Sequence, residues 1–386
     1  SRSVTATISR DTTLGFSYIG PNMMTGQGLM VHKSTGATDY DQMDGATICV
    51  LAGTVTERYL ADYFKAKGMS FTPVAAENGD QLPYLDRMVF KIIPDTNTLM
   101  TQLRSRELDM VVKTPYNQAA QVESFGGYDL VVGPLLSWAH LDFNFKNEFL
   151  DDLAVRQAFA HAIDRKVLIR AQGGFPEAIK SIVVPIFDFY DEDTPEYAYD
   201  VDKANAILDD AGYEMGSDGI RAKDGKRLSF EYVTAAGSAD DENIQQIIMA
   251  QLKAVGIELI PDNRAGVALR EARYSGDYDL YYGRWITSAD PVYSIFYGSD
   301  GFLNGQGYSN PELDAVFDTV ENSIDPEVRM QAFSDIQRIV AEDLPTLPLT
   351  TNVSLITVTD RLRNFTPNPT NMTNFVNMAN WYLEAE

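Results

Sequence analysis

Apolar residues along this chain follow two spacings, one typical of strands and one typical of helices. An apolar run at residues 46–52 precedes a Gly-Thr turn and a helical pattern that ends at Gly68. The later patterns lie, in order, at residues 227–237 (strand), 240–256 (helix, ended by Gly256), 257–263 (strand) and 278–285 (strand). Repeated strand-helix-strand units indicate crossovers between largely parallel strands. The pattern therefore predicts an α/β fold.

Two helices are predicted towards the end of the chain, each by a polar cap followed by a proline. Ser309-Asn310-Pro311 opens the first, and Asp325-Pro326 opens the second. A side-chain oxygen at the cap accepts hydrogen bonds from unpaired backbone N–H groups, and proline fits the first turn because it needs no donor there.

Residues 149–169 combine a helical apolar stripe with a group of polar residues. Asp151 or Asp152 is placed to cap the helix. His161, Asp164 and Arg165 fall on the face opposite the stripe. A general base needs an enclosed pocket and an orienting partner, and the pattern shows neither, so we interpret the group as an exposed polar face of a scaffold helix. The stripe itself consists of Val155, Phe159, Ala162, Ile163 and Val167.

The charge balance limits the partners that the chain is expected to have. Its 386 residues carry 31 Lys and Arg against 55 Asp and Glu, a formal net charge of −24. Such a surface repels nucleic acid and anionic lipid headgroups, so neither is an expected partner. No apolar run approaches the roughly 20 residues of a membrane span, so we expect no direct membrane insertion. We also expect that any export signal has already been removed.

No enzyme, cofactor or metal motif is apparent. His32 and His140 are isolated from other ligating residues in the sequence, and no HxxxH or HExxH spacing occurs. The single cysteine, Cys49, excludes an internal disulfide and a Cys-rich metal site. We therefore expect no catalytic residues, no metal and no cofactor.

The Gly-Thr turn before the first helix has two interpretations. Thr54 and Glu57 match the T-x-x-E capping box, which explains both residues without a ligand. The same turn also presents free backbone N–H groups at the positive end of a helix, where an anion would bind. The residues alone leave both open.

Several motifs, in the right order, resemble those of the family 5 extracytoplasmic solute-binding proteins, which are dipeptide and oligopeptide receptors of ABC importers. They are "LPYLDRMVFKIIPDTNTLMTQLRSRELDMV", "LDFNFKNEFLDDLAVRQAFAHAIDRKVLI", "YSNPELDAVF" and "EDLPTLPL". The resemblance covers about residues 81–386 and implies a type II periplasmic-binding-protein fold, with two lobes around a ligand cleft. It also places the helix at residues 149–169 in the scaffold of a lobe.

Residues 1–77 resemble a different family, the family 3 receptors for general L-amino acids, most specifically in "AGTVTERYLADYF". That family's second cysteine and amine-binding Asp do not follow, so the chain resembles a mosaic joined near "ENGDQLPYLD". By this resemblance Arg10, Thr54 and Thr56 would hold the α-carboxylate of an amino acid, and Arg10 suits a bidentate carboxylate contact. The predicted divisions are a family 3-like segment at 1–80, a lobe I segment at 81–140, a C-terminal lobe at 141–344 and a return to lobe I at 345–386.

The family 5 resemblance also implies ligand contacts. The segment "YYGRWITSADPVYSIFY" would line the cleft, with Trp285 and Asp290 as its candidates, and Trp138 and Asn144 would face the same cleft. Buried tryptophans are commonly core residues, so a structural role for these positions stays open. Peptide receptors carry an extra Asp just after the Trp, where this chain has only the hydroxyls of Thr287 and Ser288.

These features together predict a non-enzymatic protein that closes on a small solute by hinge motion. The expected ligand is an oligopeptide or amino-acid-like solute, delivered to an ABC permease by a periplasmic monomer. Two alternatives are an acidic periplasmic hydrolase and a mosaic without a competent cleft.

Overall fold

A computed structural model of the protein describes residues 42, 44–49, 55–74, 84–85, 87–370, 375 and 378–384, without the side chains of residues 46–49, 55–60 and 71–74. The chain forms two compact units, Ser1–Arg87 and Met88–Glu386. The four-part division predicted from the sequence stays a prediction.

The first unit contains a strand, a helix and a second strand. Strand β1 (Ala46–Cys49) lies parallel to β2 (Phe71–Val74), and α1 (Val55–Ala66) lies between them in the chain. Gly68 follows the helix with φ of 69°, a left-handed conformation that favours glycine after a helix end. The predicted strand, helix and helix-ending glycine are therefore confirmed.

The second unit is built on one six-stranded sheet in the order β3-β11-β4-β10-β8-β9. Strands β8, β9 and β10 are parallel, as predicted, whereas β3, β11, β4 and β10 pair antiparallel. The prediction of largely parallel strands is thus wrong for half of the sheet, because residues buried on both faces do not reveal strand direction. The strands are β3 (Met110–Val111), β4 (Tyr128–Phe143), β8 (Ser229–Ala235), β9 (Glu258–Arg264), β10 (Leu280–Ile286) and β11 (Thr346–Thr359).

Helices cover both faces of this sheet and give three layers. One face packs against four helices through a core that includes Leu141, Phe159 and Ile248. The other face packs against three helices through a core that includes Trp138, Phe317 and Phe333. The first set is α4 (Leu153–Ala162), α5 (Arg165–Ala171), α6 (Val201–Asp210) and α7 (Ala239–Lys253), and the second is α9 (Ser294–Tyr297), α10 (Pro311–Asn322) and α11 (Pro326–Asp343).

The remaining elements are short or peripheral. Helix α8 connects β9 to β10, and a three-stranded sheet of β5, β6 and β7 precedes β8. Their bounds, with those of the small elements near either end of the second unit, are α2 (Thr96–Arg104), α3 (Ala119–Glu123), β5 (Glu214–Met215), β6 (Arg221–Lys223), β7 (Lys226–Arg227), α8 (Gly266–Ser275), β12 (Leu362–Arg363) and β13 (Tyr382–Leu383).

Two long strands join the main sheet to a second, smaller core. β4 and β11 pair over most of their length, with register shifts between Pro348 and Thr350 and between Thr351 and Val353. Beyond these shifts the same two strands reach a cluster around Leu103 and Val122, formed with α2 and α3. Bulges bend and twist a strand pair, so we expect the ladder to bend at these shifts, which lie between the two cores.

The segment at residues 149–169 forms two helices, and of its predicted polar face His161 is buried while Asp164 and Arg165 are partly exposed. The prediction of one helix with an exposed polar face is therefore wrong. Asp152 caps α4 as predicted, and Asp164 caps α5 after the chain turns at Ile163. His161 is 4% exposed, and its Nδ1 lies 2.6 Å from the carbonyl oxygen of Ala198. Chain segments remote in sequence cover this face, which helical spacing alone does not reveal. The apolar stripe residues Val155, Phe159, Ala162 and Ile163 are buried as predicted.

Both proline-started helices form as predicted. Asn310 accepts hydrogen bonds from the N–H groups of Glu312 and Leu313 at the start of α10, and Asp325 does the same for Glu327 and Val328 at the start of α11. No helix in the described part of the chain has the length and apolar character needed to cross a membrane.

Candidate functional site

The carboxyl ends of β8 and β10 meet at one edge of the sheet. The two strands are parallel, so the chain leaves both at the same side. In α/β folds, ligands bind outside the carboxyl ends of parallel strands, where loops and helix starts converge. After β8 the chain enters α7, whose first turn carries Asp240 and Asp241, and Arg284 stands near the end of β10.

Arg284 and Asp241 form an ion pair at this edge. The Asp241 side chain is 9% exposed and that of Arg284 is 30% exposed, so the pair is shielded but reaches the surface. Burial disfavours the charge on Arg284, yet Tyr282 and Asp241 together raise its pKa above the usual value. The guanidinium therefore stays charged, and its Nη2 lies 3.5 Å from the Tyr282 hydroxyl.

Asp240 provides a carboxylate beside this pair. Burial raises the pKa of Asp240, although the positive charges of Arg284 and Lys113 act in the opposite direction. The hydrogen bonds found within the described residues do not include its carboxylate. A partly desolvated carboxylate with free acceptor sites is suited to bind a cation.

Lys113 and Tyr116 approach from the loop that follows β3. The Tyr116 hydroxyl donates a hydrogen bond to the carbonyl oxygen of Val353 at 2.9 Å, and its ring stacks on Phe175 with centroids 6.1 Å apart. Burial raises the pKa of Tyr116, whose charged neighbours are Arg284 and the α7 aspartates. We call Lys113, Tyr116, Asp240, Asp241 and Arg284 the strand-end cluster.

Trp285 and Trp138 lie on the other face of the sheet, directly paired between β10 and β4. Trp285 is 5% exposed; its ring is parallel to that of His140 at 5.5 Å, and the Arg273 guanidinium lies 3.9 Å from its centroid. Trp138 is fully buried against Tyr293. The structure thus brings the two tryptophans together in a helix-covered core, and a ligand contact for either stays a prediction.

Asp290 and Asn144 lie in different surroundings. Asp290 is exposed in the loop after β10 and forms an ion pair with Arg329 of α11. The Asn144 amide donates to the carbonyl oxygens of Gly276 and Tyr278 at 2.9 and 2.5 Å. Asn144 stands beside the opposite, amino end of β10, about 20 Å from Trp285 along the strand. The two side chains are therefore not neighbours, and a ligand role for either is a prediction.

Arg10 and Thr54 lie outside the described residues. The backbone of Thr56 is in the first turn of α1, and its side chain is outside the description. The proposed carboxylate site at the Gly-Thr turn stays a prediction.

His140 has a carboxylate neighbour that its sequence position did not suggest. Its Nδ1 lies 3.0 Å from Oδ1 of Asp142, two residues along the same strand and on the same face, and both side chains are buried. The description of His140 as isolated is therefore wrong. No group of three or more ligating side chains suited to a metal occurs among the described residues.

The sequence pattern missed the strand-end cluster, although two signals for it were present. Arg284 directly precedes Trp285, so strand alternation places it on the opposite face of β10. Asp240 and Asp241 lie in the first turn of the helix, where acidic residues are common because they face its positive end. Their proximity depends on the parallel pairing of β8 and β10.

Comparison with known proteins identifies the family. Residues 59–305 match the family described as bacterial extracellular solute-binding proteins, family 5 middle. The oligopeptide-binding protein AppA of Bacillus subtilis is 32% identical over 274 residues, which are 68% of this chain and 50% of that protein. Heme-binding protein A of Haemophilus influenzae is 25% identical over 74% of this chain and 52% of its own length. The chain thus spans about half the length of these relatives.

Solved structures agree on the fold. The structure of Bacillus subtilis AppA in complex with a nonapeptide matches with a TM-score of 0.68 and 27% identity, over 76% of this chain and 60% of that one. Lactococcal OppA, complexed with an endogenous peptide in the closed conformation, matches with a TM-score of 0.65 and 22% identity over 75% of this chain and 58% of its own. The second likeness shows the fold alone.

The family match begins at residue 59, within the segment that resembles family 3, so the mosaic interpretation of residues 1–77 stays a prediction. The predicted α/β fold of the type II periplasmic-binding-protein class is confirmed by the structural matches. With 247 of its 386 residues matched, the chain belongs to the family 5 bacterial extracellular solute-binding proteins.

Proposed function

We propose that this chain is part of a non-enzymatic receptor that binds a small peptide or amino-acid-like solute bearing a free amino group. Asp240 is the observation that carries the proposal. Its carboxylate is partly desolvated, is free of hydrogen bonds from the described residues and lies at the strand ends where ligands of α/β folds bind. It would supply the acidic group that peptide receptors carry after the tryptophan and that Thr287 and Ser288 do not provide.

The rest of the strand-end cluster complements such a solute. Lys113 would attract the carboxylate of a zwitterion, and the stacked rings of Tyr116 and Phe175 would contact an apolar side chain. Arg284 and Asp241 neutralise each other. They would hold the start of α7 against the end of β10 without attracting either the ammonium or the carboxylate group of the solute. The loop that carries Asp290 follows the same end of β10 and would border the solute.

The names of relatives support the class of solute. An oligopeptide-binding protein and a glutathione-binding protein are among them, and both names denote ligands with a free amino group. We propose an extracytoplasmic monomer that delivers its solute to an ABC permease. The register shifts in β4 and β11 would serve as its hinge.

A thermal-shift screen with free amino acids, dipeptides and tripeptides tests this function, since a ligand that binds only the folded state raises its melting temperature. Peptides with a free amino group should raise the Tm of the wild type. Asp240→Asn should lose most of that shift, and Asp290→Asn should keep it. The reverse order would place amine recognition at Asp290, and no shift with any amine-bearing compound would contradict the proposal.

A further inference from the structure

A small cavity lies beside Leu347 and Pro348 of β11, between α5, α11 and the loop that leads to α6. Its volume is about 10 Å³, and the polar groups around it include Arg165, Lys180, Ser181, Tyr197 and Gln337. A space of this size holds one water-sized particle. Its lining is unusual because it contains two cationic side chains and no carboxylate.

Arg165 is the main charge on this cavity. Its Nε donates to the carbonyl oxygen of Pro348 at 3.1 Å and its Nη1 to that of Tyr197 at 3.2 Å. The remaining guanidinium N–H groups have no acceptor among the described residues. Burial lowers the pKa of Arg165 to about 10, against the weak opposing effect of the exposed Glu196. No ion pair with Arg165 or Lys180 occurs within the part of the chain that the structure describes. The carboxylates that act on these two cations, Glu196 and Asp191, do not line the cavity.

The other polar groups around the cavity donate hydrogen bonds to partners other than Arg165. Ser181 Oγ donates to Gln337 Oε1 at 3.0 Å, and the Tyr197 hydroxyl donates to the carbonyl oxygen of Ala341 at 3.0 Å. Gln337 Nε2 donates to the carbonyl oxygens of Phe189 and Phe333. Lys180 donates to the carbonyl oxygen of Glu192. None of these side chains accepts a hydrogen bond from Arg165, whose two acceptors are the carbonyl oxygens of Pro348 and Tyr197.

We propose that this cavity binds one monatomic anion, chloride, between the Arg165 guanidinium and the Lys180 ammonium group. Chloride supplies an acceptor for the spare N–H groups of Arg165 in a lining without a carboxylate, whereas phosphate and sulfate exceed the available space. The bound ion would join the start of α5 to α11 and β11. This site is independent of the proposed solute-binding function.

The first test compares melting temperatures in sodium chloride and in sodium gluconate at equal ionic strength. For a dissociation constant of about 20 mM, 200 mM chloride should raise the Tm by about 2–4 °C over gluconate. Arg165→Met should abolish this difference. Arg170→Met removes the same charge from an exposed position of the same helix and should leave the difference unchanged.

The second test locates the ion directly. A crystal grown with sodium bromide should show an anomalous scattering peak within about 3.5 Å of the Arg165 guanidinium. If Arg165→Met does not fold, Lys180→Met provides the variant, and its crystal should lose the peak. An absent peak together with equal Tm values in the two salts would show that the cavity holds only water and would overturn the proposal. A chloride effect that survives in both cavity variants would do the same.

Discussion

Replacing His161 by alanine should lower the free energy of unfolding by about 2–3 kcal/mol. The Nδ1 contact with the Ala198 carbonyl oxygen, at 2.6 Å, contributes about 0.5–1.5 kcal/mol. The ring also packs edge-on against Tyr197 with centroids 5.4 Å apart, and removing it from a site that is 4% exposed leaves a cavity that adds about 1–2 kcal/mol. An exposed helix position would lose under about 0.5 kcal/mol instead.

Urea unfolding followed by the fluorescence of the three tryptophans measures this loss, with an unchanged m value as evidence that the transition is the same. His161→Asn retains a donor near the Nδ1 position and should recover about 1 kcal/mol of the loss. Lys166→Ala, at an exposed position of the next helix, is the control and should change little. If His161→Ala lowers the unfolding free energy no more than the control does, the burial of His161 is refuted and the original prediction of an exposed position is correct.

Three further predictions concern other parts of the second unit. Trp285→Ala should lower the unfolding free energy by about 3–5 kcal/mol because it empties a buried aromatic site, and a loss below 1 kcal/mol in urea unfolding would contradict the packing against His140. Burial raises the pKa of Asp240, so its ionised form costs stability above that pKa. Asp240→Asn should therefore be more stable than the wild type at pH 7, by less than about 1 kcal/mol since the group is half exposed, and the difference should close as the pH falls through the raised pKa. Asp325→Ala should cost about 1 kcal/mol by removing the α11 cap, whereas Glu327→Ala, two residues later in the first turn, should cost less.

Local sequence patterns were sufficient to predict the features that depend only on residues close together in the chain. The caps at Asp152, Asn310 and Asp325 form as predicted. Each depends only on hydrogen bonds between one side chain and backbone N–H groups within the next three residues. The strand-helix-strand unit of β8, α7 and β9 also formed as predicted, since its periodicity and Gly256 mark each boundary. The family motifs are likewise short stretches of consecutive residues, so they can be recognised without knowledge of long-range contacts.

Features that depend on residues remote in sequence were not predictable in this way. His161 is covered by the segment around Ala198, 37 positions away, and nothing in the spacing of α4 indicates this. The antiparallel pairing of β4 with β11 joins residues more than 200 positions apart. The strand-end cluster likewise requires the register of β8 and β10 before Arg284 and Asp241 become neighbours.

Isothermal titration of a free tripeptide and its N-acetylated form, on the wild type and on Asp240→Asn, tests the central claim most directly. The wild type should bind the free tripeptide about 10- to 100-fold more tightly than the acetylated one, because acetylation removes the ammonium group that pairs with Asp240. Asp240→Asn should bind both forms with similar, weak affinity. Equal affinity of the wild type for both peptides, or unchanged discrimination in Asp240→Asn, would contradict the assignment of amine recognition to the strand-end cluster.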